Sequence, residues 1–198
     1  MEDTARFLSR LLDVIEHQIV PLTREGVQVG NKIFGAAVLL KSDRSLVVAG
    51  TNTEIECPLW HGEVATIKRL YELPVRDRLD PRDCIFLSTH EPCSLCLSAI
   101  TWTGFDNFYY LFSYEDSRDS FNIPHDLLIL QEVFGCEAGS YARENHFWKS
   151  HCIPETIESC VEPSRTELRA RVSRLQEVYD QMSLVYQRSK GSGRIPLD

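Results

Sequence analysis

Apolar residues recur along the chain with two periods, and the points where the period changes divide it into elements. Phe7, Leu8, Leu11, Leu12, Ile15 and Ile19 follow at helical spacing, which predicts an amphipathic first helix from Thr4 to about Leu22. Pro21 and Gly26 are expected to end it. Ile33 to Leu40 is a continuous apolar run, Ser42-Asp43-Arg44-Ser45 carries turn residues, and Leu46 to Ala49 is apolar again. That is the pattern of a β-hairpin made of two buried strands. Helical spacing returns at Val64, Ile67, Leu70 and Tyr71, so a helix is expected from His61 to Leu73, followed by a charged, proline-containing connection from Pro74 to Asp83.

Cys84 to Ser88 reads as a short apolar strand, Cys93 to Trp102 as a helix closed by Gly104, and Asn107 to Phe112 as an aromatic strand. Asp116 to Phe121 is one helical turn, and His125 to Phe134 a helix broken by the stretch from Gly135 to Ser140. A hairpin followed by alternating helices and strands argues for a three-layer α/β/α sandwich around a mixed sheet of about five strands. From Glu162 to Gln187 the apolar positions Leu168, Val172, Leu175, Tyr179, Met182 and Val185 advance by three or four residues. This is one long amphipathic helix, whose stripe needs cover from its own domain or from a second subunit. The organisation expected is therefore a domain over residues 1–160, a C-terminal helix over 161–189 and a loose tail over 190–198.

The net charge of −8 narrows the partners. A protein that grips a polyanion normally presents a basic face, because neutralising phosphates releases counterions. Here Arg76 and Arg78 sit among Asp77, Asp80 and Asp83, and Lys190 to Arg194 is sparse, which disfavours long nucleic acid. Met1-Glu2-Asp3 opens acidic with no apolar segment behind it, so no secretory leader is expected and the seven cysteines are expected to stay reduced. No apolar run reaches the ~18 residues of a membrane span. The reading is a soluble, cytoplasmic protein.

The chemistry is concentrated in His61-Gly62-Glu63 and Pro92-Cys93-Ser94-Leu95-Cys96. Together they offer an imidazole, two thiols and a spare carboxylate. Cys93 and Cys96, three apart, project from one face if the segment is helical, and the first turn after Pro92 favours the thiolate of Cys93. A structural zinc site is closed by four ligands, whereas a catalytic one leaves a position to water. His61, Cys93 and Cys96 as the three ligands of Zn2+ leave such a position. Glu63 then reads as the general base beside it. Zinc there would lower the pKa of its water to roughly 7.

His-x-Glu with Pro-Cys-x-x-Cys is the signature of the zinc deaminases of nucleobases. The chain resembles the cytidine deaminase superfamily from about Ile33 to about Asp116. Phe34-Gly35-Ala36-Ala37-Val38 and Ala99-Ile100-Thr101-Trp102 are similar to guanine deaminases, and Leu59-Trp60-His61-Gly62-Glu63 is closer to fungal-type cytosine deaminases. The resemblance implies a cytidine-deaminase-like fold and a homodimer. It implies hydrolytic loss of ammonia from a free nucleobase or nucleoside of guanine or cytosine type, with Glu63 serving first as base and then as acid. It further implies that Asn52 hydrogen-bonds the substrate, Phe34 lines the face of the base and backbone at Gly62 meets the amine side. Asp116, with Glu115, sits where guanine deaminases carry an acidic contact, and Trp102 is a pocket wall or plain core.

Bland alternatives accompany these readings. A closed structural site would recruit Cys57 as fourth ligand, and a catalytically silent zinc-containing scaffold would have no use for Glu63. A tRNA adenosine deaminase, or a subunit of one, is the rival among enzymes; the acidic balance counts against it. Cys84, Cys136, Cys152 and Cys160 read as small buried hydrophobes, and His90 as a pocket residue or a core histidine.

Overall fold

The computed structural model describes residues 2–137, 139–191 and 195–197. Its first helical stretch is longer than the periodicity suggests. Helix α1 (Glu2–Val14) passes through a π-helical turn (Ile15–Ile19) into α2 (Val20–Gln28). Pro21 does not stop it: the π-helical turn ends at Ile19, just before it, an irregularity in the ladder at the point where proline supplies no N–H.

The hairpin follows as β1 (Gly35–Leu40) and β2 (Leu46–Thr51), then α3 (Gly62–Glu72), β3 (Cys84–His90), α4 (Ser94–Thr103) and β4 (Asn107–Phe112). Gly104 ends α4 with φ of 89°, a left-handed C-terminal residue that glycine adopts without strain. After α5 (Tyr114–Asp119) and α6 (His125–Phe134), the short strand β5 (Lys149–Cys152) completes the sheet, and α7 (Ile153–Ile157) and α8 (Ser164–Ser189) close the chain. The five strands lie in the order β2-β1-β3-β4-β5. β1 is antiparallel to both β2 and β3, while β3, β4 and β5 are parallel. The sandwich with a mixed sheet is the expected architecture.

Alternation along the strands feeds two cores. Ala37, Leu39, Ile85 and Leu87 face α1, α2 and α8, whereas Ala36, Val38 and Phe86 face Ile67 and Leu70 of α3 and Ile100 of α4. Helix α8 packs on α1, α2 and α7 of its own chain, burying Leu168, Leu175, Tyr179 and Met182. Of the segment 190–198, residues 192–194 and 198 lie outside the described residues; Ile195 is buried.

This topology assembles a site at one sheet edge. β3 and β4 are parallel, and ligands in such sheets gather beyond the carboxyl ends of the strands. Because β1 runs the other way, its first residues arrive at that edge together with the last residues of β3. Gly62 brings α3 to the same place. A Cβ there would lie 2.7 Å from Phe34 O and 2.8 Å from Gly35 Cα, so only glycine lets the helix approach the β1 backbone this closely.

Candidate active site

Two helix starts converge at the sheet edge. His61 is the residue immediately before α3 and Cys93 the one immediately before α4. The ligand atoms of His61, Cys93 and Cys96 lie within 4.8 Å of one another, and Cys93 Sγ is 3.4 Å from His61 Nδ1. Both cysteines are buried. A hydrogen bond from Cys96 holds the Cys93 thiol well below its usual range despite burial, with His61 adding to the effect. Burial pulls His61 down, but its hydrogen bond to Cys93 and the charge there outweigh it and raise His61 to about 9. Burial and the neighbouring Cys93 push Cys96 well up. These shifts favour a thiolate–imidazolium pair beside a thiol, a cluster whose protons a divalent cation would replace. Two thiolates and an imidazole are a donor set that suits zinc, and the residues fit that metal. Cys57 is not part of the cluster.

Glu63, the second residue of α3, is buried and accepts hydrogen bonds from Ser88 Oγ at 2.9 Å and Cys96 Sγ at 3.3 Å. Burial, with the charge of Cys93 beside it, pushes its carboxyl up from the ordinary range. That is the environment of a carboxylate poised to pick up and return a proton.

In front of the trio lies a cavity of about 250 Å³. His61 and Cys93 form its floor, with Cys96 and Glu63 in the layer beneath. Phe34, Pro58, Leu59 and Ile123 supply apolar wall, Lys32 and Glu54 one polar wall, and His125 and Asp126 from α6 another. Ile195, Pro196 and Leu197 also line it. Burial, then the charge of Cys93, pushes the Asp126 carboxyl well up.

The residues expected from the sequence divide accordingly. His61, Glu63, Cys93 and Cys96 are brought together, and Phe34 lies on the cavity wall. Asn52 is wholly buried and outside the lining, its Nδ2 donating to Glu54 Oε2 at 2.5 Å. Gly62 is buried against β1. Trp102 is 91% exposed, so it is neither pocket wall nor core. Asp116 closes a capping box with Ser113 at the start of α5; its carboxylate serves the helix end. His90 is a core residue among Phe34, Phe112, Phe121 and Tyr179. Lys32, Glu54 and Asp126 were not singled out by the motifs. A polar residue just before an apolar strand was the available signal for Lys32.

Residues 11–112, just over half of the chain, match the model of the cytidine and deoxycytidylate deaminase zinc-binding region. The chain belongs to that family. Within this deaminase family, guanine deaminase of Bacillus subtilis (strain 168) is 32% identical over 104 residues, covering 51% of this chain and 64% of the relative. The chain thus spans a little under two thirds of that relative's length. The X-ray structure of guanine deaminase from Bacillus subtilis superposes with a TM-score of 0.50 at 26% identity, covering 68% of this chain and 80% of that one. A mutant protein crystallised in complex with 8-azaguanine gives a TM-score of 0.53 at 18% identity over 85% of this chain and 84% of that one; this likeness is one of fold alone. The family match ends at Phe112, before Asp126 and the residues 195–197 that complete the cavity.

Proposed function

We propose that the protein is a zinc-dependent hydrolase that deaminates a free nucleobase, guanine rather than cytosine. The observation that carries this reading is the placement of Glu63, buried and within 3.3 Å of the Cys96 sulfur, directly beside the trio that fits the metal. His61, Cys93 and Cys96 would hold the ion. When bound, zinc supplies a Lewis acid that makes water a nucleophile at neutral pH.

Glu63 takes a proton from the attacking water and passes it to a ring nitrogen, which makes the amine-bearing carbon more electrophilic. As the tetrahedral carbon collapses, Glu63 takes the remaining proton of the newly added hydroxyl and delivers it to the departing nitrogen. Ammonia leaves and the water oxygen remains as a ring carbonyl. The raised pKa suits both transfers, since the carboxyl must hold the proton between them. Phe34 packs against the base, and Asp126 offers an acceptor from the wall supplied by α6. The Bacillus subtilis relative supports guanine as the base.

The homodimer and the cytoplasmic setting belong to the same proposal. Trp102 of α4 and Leu128, Val133 and Phe134 of α6 are exposed on helices that pack together, an apolar surface available to a second copy. All seven cysteines are free, as a reducing compartment would leave them, and no helix among the described residues is long and apolar enough to cross a membrane.

The deciding experiment is ammonia release by zinc-loaded protein from guanine, cytosine, adenine and their nucleosides. Guanine is expected to turn over fastest. Glu63→Ala should keep its zinc and fold yet lose turnover; unchanged turnover in that variant would refute the mechanism.

A further inference from the structure

Next to His61, one wall of the cavity is built from buried polar groups that the reaction above does not use. Lys32 Nζ donates to Glu54 Oε1 at 3.0 Å. The same oxygen lies 3.6 Å from His61 Nε2, so ammonium and imidazole share one carboxylate. The side chains of Lys32 and Glu54 are only 5% and 3% exposed, and both line the cavity. Asn52 stands behind them with its amide committed, Nδ2 to Glu54 Oε2 at 2.5 Å and Oδ1 to Glu54 N at 3.1 Å. Asn52 therefore holds Glu54 in place, and the groups left facing a ligand are those of the ion pair.

Stability alone does not account for this pair, because the desolvation of two buried charges roughly cancels their attraction. An ammonium brings three N–H donors and no acceptor. Glu54 takes one, and no other hydrogen-bond partner of Lys32 occurs among the described residues. The remaining donors border a cavity lined by the apolar Phe34, Leu59 and Ile123 and, from α6, by Asp126, whose carboxyl feels the Lys32 charge without a hydrogen bond to it. A point-like cation of this kind suits a single strong acceptor atom. Among aminated bases, a ring carbonyl is that acceptor; guanine and cytosine carry one and adenine carries none.

We propose that Lys32 is the specificity-determining donor of the site: it binds the ring carbonyl of an amino-oxo base, with Glu54 as its counter-ion and Asn52 as the residue that fixes Glu54. The proposal rests on the deaminase reading for its substrate class, and the test separates the two. Binding is measured by calorimetry on zinc-loaded protein with hypoxanthine, which has the 6-oxo group, and with purine, which lacks it. Turnover is measured with guanine and with 2-aminopurine, a pair that differs by the same group. Zinc content is assayed in every variant.

For Lys32→Met, and for the charge-neutral double variant Lys32→Met with Glu54→Gln, hypoxanthine affinity and kcat/KM on guanine should each fall about 10- to 100-fold. Purine affinity and kcat/KM on 2-aminopurine, both expressed per bound zinc because Glu54 faces the ligand His61, should hold. Equal losses on both members of each pair would overturn the assignment, as would no loss on either, or wild-type protein that binds hypoxanthine no better than purine. A Lys32-dependent preference for hypoxanthine in protein that releases no ammonia from guanine would strike down the reaction and sustain the assignment.

Discussion

Ser88 Oγ donates a hydrogen bond of 2.9 Å to Glu63 Oε1, with both side chains buried. Strand alternation puts Ser88 on the face of β3 that looks toward α3, so the last part of a sheet strand orients a carboxylate on the first turn of a helix. The bond favours the ionised form, opposing the burial that pushes Glu63 up. Ser88→Ala removes a lowering influence, and the pKa of Glu63 must rise. The acid limb of the kcat/KM profile should therefore move to higher pH, with the loss of rate greatest below neutrality. Ser88→Thr, which keeps the hydroxyl, should restore the limb. A profile of unchanged shape would mean that Ser88 does not act on the base.

The protonation pattern of the trio fixes how metal affinity depends on pH. Without metal, His61 holds its proton up to about 9 and burial keeps the Cys96 thiol well above its usual range, while the Cys93 thiol is pulled well below its own. Binding must expel the protons of His61 and Cys96. Apparent zinc affinity should thus fall by about 100-fold for each pH unit below 9, ten-fold per proton released. Competition with a chromogenic chelator between pH 6 and 9 measures the slope. Cys96→Ser should weaken binding at every pH, and chelation should lower the melting temperature, because a ligand of the native state alone stabilises it.

His90 gives the fold a separate acid sensitivity. Its ring is enclosed by Phe34, Phe112, Phe121 and Tyr179, Nδ1 pairs with Thr89 Oγ1 at 2.9 Å, and burial pulls its pKa down to about 3 from 6.5. The unfolded chain takes up a proton near 6.5, whereas the folded chain refuses one until about 3. Stability from this residue is therefore complete above 6.5, drains away as pH falls and is gone near 3, a loss of about 5 kcal/mol. Urea unfolding at pH 7, 5.5 and 4.5 should show the decline. His90→Phe should flatten it, with zinc-free samples of both proteins compared so that metal loss does not contribute.

The site was legible where chemistry is written in short spacings and illegible where it depends on distant parts of the chain. His61, Glu63, Cys93 and Cys96 declare themselves because helix starts fix where neighbouring side chains point. Lys32 and Asp126 acquire meaning only when the segment leading into β1 and helix α6 reach the same cavity from 94 residues apart; the polar position before an apolar strand marks Lys32 only weakly, and nothing local marks Asp126. Trp102 shows the converse: α4 is apolar on several faces, so sequence alone does not say which face meets solvent. Asp116 was drawn to its helix cap by Ser113, a local bond that competes with any distant role. β5 escaped notice because Lys149-Ser150-His151-Cys152 is a short edge strand held by backbone pairing with β4 rather than by an apolar pattern.

The C-terminal helix was legible as an amphipathic stripe, while its partner was not. The stripe seats on its own domain, where Tyr179 is fully buried among His90, Phe112 and Phe121, and Arg171 spans Asp13 and Glu16 at 2.7 and 2.8 Å. These two attachments differ in kind. Tyr179→Ala opens a cavity in a close-packed aromatic cluster and should cost about 3 to 5 kcal/mol. Arg171→Ala removes part-exposed ion pairs and should cost no more than about 1 kcal/mol. Denaturant unfolding of the two variants checks the order. Because α8 is consumed by its own domain, neither change should alter the sedimentation of the folded protein. Dissociation of an assembly by Arg171→Ala would show that this helix face also serves a second copy.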